Sequence, residues 1–574
     1  MKPEWYRLFI QHPIVFNVLL CVLSWCVLGV DYQSNDDYVI ASLLSDAEQY
    51  ADAHVLFVNP LLTSFLQVLE LVSGRFSVWG IFLVLCNLVA GCLLWGIASR
   101  KICENGLDEF RGMILLLLWC VFMARFYAVI QFTQTAFLMS FAGLVCCLWG
   151  QSNIWGRYFL GGFLCIMGGM IRFDAALICY LFWLLGLCYV YVQDSAKPEC
   201  GKQMLTFILA LLISVGGLLW GDAAHRKSLG WDVVEWNQAR SAISDTTAIR
   251  KASDFEAEKY CVHENDLKMI QTFSHADLIV FSQEYLGRIL KARDGECLSQ
   301  KLLTRFQKAM SLWSIEKLSE LSICWLFIGV CGGVVMVFKN RRWGMVVLGT
   351  MLGLLMILAS IERLFPRVVY PIVFIACLTL LLMGDGIQIS REIKSWISGT
   401  FVVLAFIFLM FGLMIEGAWS SPKEGPEQMR GGSELAQFIK SHSEYVFFVQ
   451  QIDLTIDHFV TPHSPFLDAG ISTLPNVLSL GGWHFHLKTQ SRKRSQMGCD
   501  DIKSLCNDKV LIVCLSSGAD RLTNDREYLG MLCKHLELHE GIRPLPELVR
   551  VVQGIRFYRL LQKNSLGREV TAEG

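Results

Sequence analysis

The sequence predicts a polytopic α-helical membrane protein with about eleven transmembrane helices and a C-terminal extracytoplasmic α/β domain. Three observations predict it. The 574-residue chain is 54% hydrophobic and only 18% charged, against roughly 25% charged residues in an average soluble domain. Apolar runs long enough to cross ~30 Å of hydrocarbon recur from residue 13 to residue 417. Beyond them the chain turns polar, and helical stretches alternate with short β-rich runs. A soluble enzyme, a fibrous protein and a disordered chain are excluded. The net charge of −1 leaves no basic surplus for nucleic acid.

In chain order, the expected spans are 13–30, 76–98, 112–130, 134–150, 155–171, 174–193, 203–221, 320–338, 343–361, 368–384 and 398–417. The first lacks a small-residue cleavage site and is followed by further spans, so it reads as a retained helix. Residues 56–73 are apolar but carry Asn59, Pro60, Gln67 and Glu70, which fits an interfacial or re-entrant helix. Orientation follows from the short loops. With the N-terminus cytoplasmic, the inside loops hold Lys2, Arg7, Arg100, Lys101, Arg111, Arg157, Lys197, Lys202, Lys339, Arg341, Arg342, Arg391 and Lys394. The outside short loops hold Arg75, Arg125, Arg172, Arg363 and Arg367. That bias places the C-terminus outside.

The transmembrane unit is thus 1–417, with outer loops 31–75 and 222–318, followed by a Pro- and Gly-rich linker at 418–433 and the α/β domain at 434–574. Good helix formers dominate Asp254 to Arg293 in the middle loop. The tail's β-rich runs are Tyr445–Gln450, Asn476–Leu480, Lys509–Cys514 and Ile555–Gln562. Most of the 21 cysteines fall in spans, where a thiol behaves as a small hydrophobe. Cys261, Cys297, Cys499, Cys506, Cys514 and Cys533 fall outside. There Cys261–Cys297 and Cys499–Cys506 are candidate disulfides.

The chemistry concentrates where the first span emerges. Asp31, Asp36 and Asp37 place three carboxylates within seven residues at the outer membrane surface. Ordinary loop acidity is one reading. The other is a general base at the mouth of a cavity, since neighbouring acids favour protonation of one of them. A second set lies at the outer ends of spans: Arg125, Gln131, Gln134, Arg172, Asp174, Glu362, Arg363 and Arg367. Any one arginine can be explained by snorkelling. Clustered on the side where arginine is depleted, they suit a lipid phosphate bound bidentately. His54 sits in the first outer loop near the acidic turn. His484 and His486 form a His-x-His on an expected strand, a weak metal motif without a third ligand. Trp231 and Trp236 are candidates for stacking on a sugar or for an interfacial position. Lys488, Arg492, Lys493 and Arg494 read as a solvated face or a contact with anionic lipid.

These elements resemble the GT-C superfamily of integral membrane glycosyltransferases. The resemblance rests on the span followed by Ser34-Asn35-Asp36-Asp37, on Asn59-Pro60, Gln131-Phe132-Thr133 and Gly169-Met170-Ile171-Arg172. It also rests on Glu235-Trp236-Asn237-Gln238-Ala239-Arg240-Ser241, the Arg367-x-x-Tyr370-Pro371 element and Leu480-Gly481-Gly482-Trp483. Uncharacterised bacterial surface-glycan members are the most similar in pattern; protein O-mannosyltransferases and lipid A aminoarabinose transferases are more distant relatives. The resemblance implies inverting transfer of a sugar from a polyprenyl phosphate donor to an extracytoplasmic glycan, lipid or protein acceptor. It implies a multi-pass location in a bacterial cytoplasmic (inner) membrane. Asp36 or Asp37 would be the base, and Arg363, Arg367, Arg125 and Arg172 would bind the lipid phosphate. His54, Asn59, Gln131, Glu362, Asn237 and Arg240 would contact substrate. Some relatives need a divalent metal ion, and the requirement here stays open. Three rival readings are a lipid-linked polysaccharide polymerase or ligase, a transporter or flippase, and a non-catalytic assembly or sensor protein whose tail is the working part. The visible absence of a repeat and of mid-membrane charge argues against the transporter.

Overall fold

The computed structural model describes residues 12–33, 35–45, 53–73, 76–104, 109–150, 154–194, 200–244, 257–272, 274–294, 324, 327–329, 341–360, 365–383, 437–449, 465–466, 476–515, 525–552 and 555–562. Helix α1 (Pro13–Leu28) starts on a proline, whose missing N–H is no loss at a helix N-terminus. It ends at Gly29, where φ is +77° and a side chain would strain the backbone. Strand β1 (Asp31–Tyr32), α2 (Asn35–Ser45), α3 (Pro60–Ser73) and α4 (Val78–Glu104) follow. The next crossing is composite: α5 (Glu109–Leu118), a π-turn at Trp119–Met123, and α6 (Ala124–Ala128). It runs into β2 (Val129–Ile130), α7 (Phe132–Trp149), α8 (Ile154–Ile171), α9 (Phe173–Asp194) and α10 (Cys200–Leu229).

Among the described residues, six helices are long and apolar enough to cross a membrane: Val78–Ile102, Arg111–Ala128, Phe132–Trp149, Phe173–Val192, Arg341–Ala359 and Pro366–Met383. The last two belong to α15 (Arg341–Ser360) and α16 (Pro366–Met383). Pro13–Leu28, Pro60–Ser73 and Gly156–Ile171 are shorter apolar helices. The chain is therefore a multi-pass helical membrane protein. Most of span 320–338, all of span 398–417 and the linker 418–433 lie outside the described residues. The helix expected within 56–73 forms as α3 and leaves Leu61, Val68 and Val72 uncovered. Its Glu70 accepts from the Val78 amide at 2.9 Å and so fixes the start of α4.

α7 is apolar on every side and is buried from Phe132 to Cys147. α16 is likewise buried from Val369 to Met383, so these two helices form the centre of the bundle. α7 and α8 approach through small residues: a Cβ at Gly143 would collide with the Gly161 carbonyl, and one at Gly168 with Ser140. Polar contacts fix the composite crossing. Buried Asn17 of α1 accepts from Trp119 Nε1 at 2.9 Å and from the Tyr127 hydroxyl at 2.8 Å. The carbonyls at the end of α6 are taken up by side chains of neighbouring helices: Trp25 Nε1 donates to Tyr127 O at 2.9 Å and Asn87 to Phe126 O at 3.0 Å. In hydrocarbon such groups have no water to fall back on.

The middle loop is helical as expected: α11 (Trp231–Ser244), α12 (Ala257–Tyr260), α13 (Glu264–Gln271) and α14 (Gln283–Asp294). The tail builds a five-stranded mixed sheet around α17 (Lys488–Gln496) and α18 (Asp525–Glu540). Its strands are β3 (Val446–Val449), β4 (Val477–Ser479), β5 (Val510–Leu515), β6 (Pro544–Val552) and β7 (Ile555–Gln562), in the order β4-β3-β5-β7-β6. β3 runs parallel to both β4 and β5, and β7 antiparallel to β5 and β6. Alternation divides the sheet's residues between two faces. Phe447, Val449, Leu511, Val513 and Phe557 pack with Ile439. Phe448, Val510 and Ile512 pack with Leu532 and Leu536 of α18 and with Trp236, Ile270, Phe281 and Leu286 of the middle loop. The tail and the described part of the middle loop, from Trp236 to Ala292, thus share one core.

Three sequence expectations are corrected. Trp483–His486 forms a 3₁₀ turn and not a strand, because Gly482, at φ +103°, turns the chain after β4. Lys493 and Arg494 are buried; Arg494 donates to Phe485 O at 2.9 Å and lies 3.7 Å from the Phe485 ring, so these two do not form a solvated face. Cys261, Cys499 and Cys506 are free thiols, and Cys297 lies outside the described residues.

Candidate functional site

The acidic turn is placed by a short parallel ladder between the segment leaving α1 and the one entering α7. Asp31 pairs with Val129 and Tyr32 with Ile130, and the Gln33 amide continues the ladder to Ile130 O at 2.9 Å. Asp31 then holds the turn closed, accepting from the Tyr32 amide at 2.7 Å and from the Tyr38 hydroxyl.

The two carboxylates that follow part company. Asp37 is fully buried and accepts from the Phe132 amide at 3.1 Å. It sits at the N-terminus of α7, where unpaired amides and the helix dipole favour an anion. Asp36 keeps a side-chain exposure of 22% and lies 3.6 Å from Arg367 Nη1. Its other oxygen accepts from Trp483 Nε1 at 3.0 Å. Arg367 comes from the first turn of α16, where Pro371 supplies no N–H to the Arg367 carbonyl. Trp483 comes from the tail, more than 400 residues on. The residues flanking the turn are also tied to the tail, since the Tyr32 hydroxyl donates to Pro465 O at 3.2 Å.

Around this pair the chain gathers aromatic rings and a second guanidinium. Phe57 meets Trp483 edge-on at 5.3 Å and stacks on Phe132 at 6.1 Å. Arg172 lies 5.3 Å from the Phe57 ring and 5.1 Å from Phe132, with Nη1 donating to the Thr133 hydroxyl at 3.1 Å. Asn59 caps α3 through Leu61 N at 3.0 Å, and its own amide donates to Met170 O at 2.8 Å. It therefore anchors the Phe57 loop beside Arg172. Gln131 caps α7 by accepting from Gln134 N at 3.0 Å. Arg125 is buried, 4.0 Å over the Tyr370 ring, and braces the start of α16. His54 is exposed on the outer loop. Glu362 and Arg363 lie outside the described residues.

Asn237 and Arg240 belong to a neighbouring layer. Arg240 is buried and donates through Nε and Nη2 to Asn237 Oδ1 at 3.1 and 2.9 Å. Trp236 is a core residue, donating to Phe281 O at 2.7 Å and lying 3.7 Å from the His486 ring. The Gly482 amide donates to His275 Nε2 at 3.2 Å. Burial, reinforced by the nearby Arg494 and Arg240 charges, holds the imidazoles of His484 and His486 down at about 3 and about 4; burial beside Arg240 likewise pushes His275 well down. All three rings are thus neutral at pH 7. One 3₁₀ turn therefore reaches both ways, with Trp483 to the acidic turn and His486 to the middle loop.

The structure thus brings together Asp36, Arg367, Arg172, Asn59 and Gln131 from the residues the sequence singled out. Phe57 and His275 went unread, since a lone aromatic or histidine in a loop carries no spacing signal. Among the described residues, the group of three side chains able to hold a metal ion is Asp266, His535 and His539, remote in sequence from the acidic turn.

What the site defines is a partly exposed carboxylate facing a guanidinium, with a second guanidinium on the neighbouring aromatic rings, in a multi-pass protein. No family model matches the chain, and no curated protein matches it. Two solved structures are similar. A crystal structure of ArnT from Cupriavidus metallidurans bound to undecaprenyl phosphate aligns with TM-score 0.39 and 10% identity over 97% of this chain and 98% of that one. The apo form of the same protein aligns with TM-score 0.38 and 9% identity over 96% and 97%.

Proposed function

We propose that the protein is an inverting, polyprenyl-phosphate-sugar-dependent glycosyltransferase of the GT-C type, working at the outer face of a bacterial inner membrane. The observation that carries the reading is the division of labour in the acidic turn. Asp37 is buried on the α7 amide, while Asp36 keeps a side-chain exposure of 22% and faces Arg367. Asp36 is the base. An acceptor hydroxyl attacks the anomeric carbon, its proton passes to an Asp36 oxygen, and the bond from that carbon to the phosphate oxygen breaks. The leaving polyprenyl phosphate carries the electron pair away as an anion, which Arg367 and Arg172 stabilise. At 3.6 Å the Arg367–Asp36 pair is too long to be a hydrogen bond. A donor phosphate can therefore recruit Arg367 and leave Asp36 free to take the proton. Phe57, half-buried between Trp483 and Phe132, offers an apolar face for the sugar ring.

The test uses purified protein in nanodiscs with a panel of radiolabelled polyprenyl phosphate sugars and a host glycan extract, reading release of free polyprenyl phosphate. Release from one donor, lowered by Arg367→Ala, is the expected result. No release from any donor that the protein demonstrably binds contradicts the proposal and favours a polymerase or flippase.

A further inference from the structure

The middle loop and the tail are joined by a polar cluster with no part in the acidic turn. His535 and His539 lie four residues apart on one face of α18. Asp266, fully buried on α13, faces both. His535 Nδ1 is 3.0 Å from Asp266 Oδ1, and His539 Nε2 is 3.0 Å from Asp266 Oδ2. The three ligand atoms lie within 4.8 Å of one another. Ligands on a tetrahedral zinc at ~2.0–2.1 Å sit roughly 3.3–3.4 Å apart, so the two Asp266 edges must open by a few tenths of an ångström and the edge between the two imidazoles, which lies within 4.8 Å, must settle to the same length.

The surroundings are those of a ligand set. His535 Nε2 lies 3.0 Å from Asp277 Oδ2. This is the carboxylate partner that orients a metal-bound imidazole and leaves its other nitrogen to the ion. Asp277 is itself held, its Oδ1 accepting from the Ile279 and Val280 amides at 3.1 Å. Asp266 Oδ2 accepts from the Tyr285 hydroxyl at 2.5 Å. His539 is the least buried of the three, with a side-chain exposure of 16%, so a fourth ligand from water has access on its side.

We propose that Asp266, His535 and His539 form a divalent-metal site for zinc, completed by water, which clasps the middle loop to the tail. Two imidazoles and one carboxylate suit zinc better than magnesium or calcium, which take oxygen ligands. The clasp bears on the acidic turn through the shared core, because the same loop holds Trp236 against the Trp483–His486 turn.

The experiment strips full-length protein in nanodiscs with a chelator, then titrates Zn²⁺ and Co²⁺. One ion per chain is expected, with a tetrahedral Co²⁺ visible spectrum and no thiolate charge-transfer band, which separates this site from the 21 cysteines. Asp277→Asn, which keeps the Oδ1 acceptor, should weaken binding by roughly 10–100-fold, and His539→Ala should abolish it. His484→Gln/His486→Gln should bind as wild type. Zinc should raise the thermal midpoint of the wild type and not of His539→Ala. Wild-type protein that takes up no stoichiometric metal, or binding untouched by both Asp277→Asn and His539→Ala, would show a hydrogen-bonded clasp without an ion and overturn the proposal.

Discussion

Asp36 and Asp37 are adjacent and chemically identical, yet Asp37 is buried on the Phe132 amide while Asp36 is partly exposed beside Arg367. Asp37→Ala removes the acceptor for the Phe132 amide and should cost about 1–3 kcal/mol of stability, read as a lowered melting midpoint. Trp483→Phe keeps the ring against Phe57 but removes the N–H that reaches Asp36. It should slow transfer by roughly tenfold, the scale of one hydrogen bond to a charged group, and lower the midpoint as well, because the buried Trp483 loses both that bond and ring volume. A pH effect follows from His484 and His486, whose folded-state values of about 3 and about 4 lie below the ~6.5 of an unfolded histidine. The folded state binds fewer protons, so this contribution is complete above pH ~6.5 and is lost as the pH falls toward 4 and then 3. Melting midpoints should fall with acid below pH ~6.5, and less steeply in His484→Gln/His486→Gln. Equal slopes would contradict the assignment. Asp36 and Asp37 looked alike in the sequence because burial of one depends on the register of α2 against the first amide of α7, which no local pattern encodes.

Elements were more legible than side-chain roles. The apolar runs at 76–98, 134–150 and 174–193 reappear as α4, α7 and α9, since a span is written in length and apolarity alone. β3, β4, β5 and β7 follow the β-rich runs of the tail. β6 was missed because Pro544 and Pro546 argue against a strand, and the fold tolerates them by putting β6 at the sheet edge. The 3₁₀ turn at Trp483–His486 was misread as a strand because His484 and His486, two residues apart between apolar rings, mimic strand alternation, and the turn is set by Gly482. Within the membrane, the composite α5–α6 crossing depends on Asn17. Asn17→Leu leaves the Trp119 N–H and the Tyr127 hydroxyl without their acceptor and should cost on the order of 1–3 kcal/mol. Tyr127→Phe, which removes one donor with its bond, should cost less. Equal midpoints for Asn17→Leu and wild type would contradict this account.

At the scale of the molecule, the tail packs against the acidic turn through Trp483 and Pro465. Trp483 and Leu487 pack into the membrane unit's core, the opposite face of the same turn rests on α11, and one core joins the sheet to the middle loop. Sequence reading separated 434–574 as a domain because composition changes there. It could not show that the residues burying the tail's sheet lie some 200 positions earlier, since long-range burial leaves no local periodicity. The central claim is that this assembly presents one working carboxylate. The measurement that tests it most directly is the rate of polyprenyl phosphate release by Asp36→Asn and Asp37→Asn side by side, each reconstituted in nanodiscs with the donor the wild type uses. The account predicts that Asp36→Asn abolishes release at wild-type stability, while Asp37→Asn, which keeps an acceptor for the Phe132 amide, retains it. Undiminished release by Asp36→Asn would contradict it.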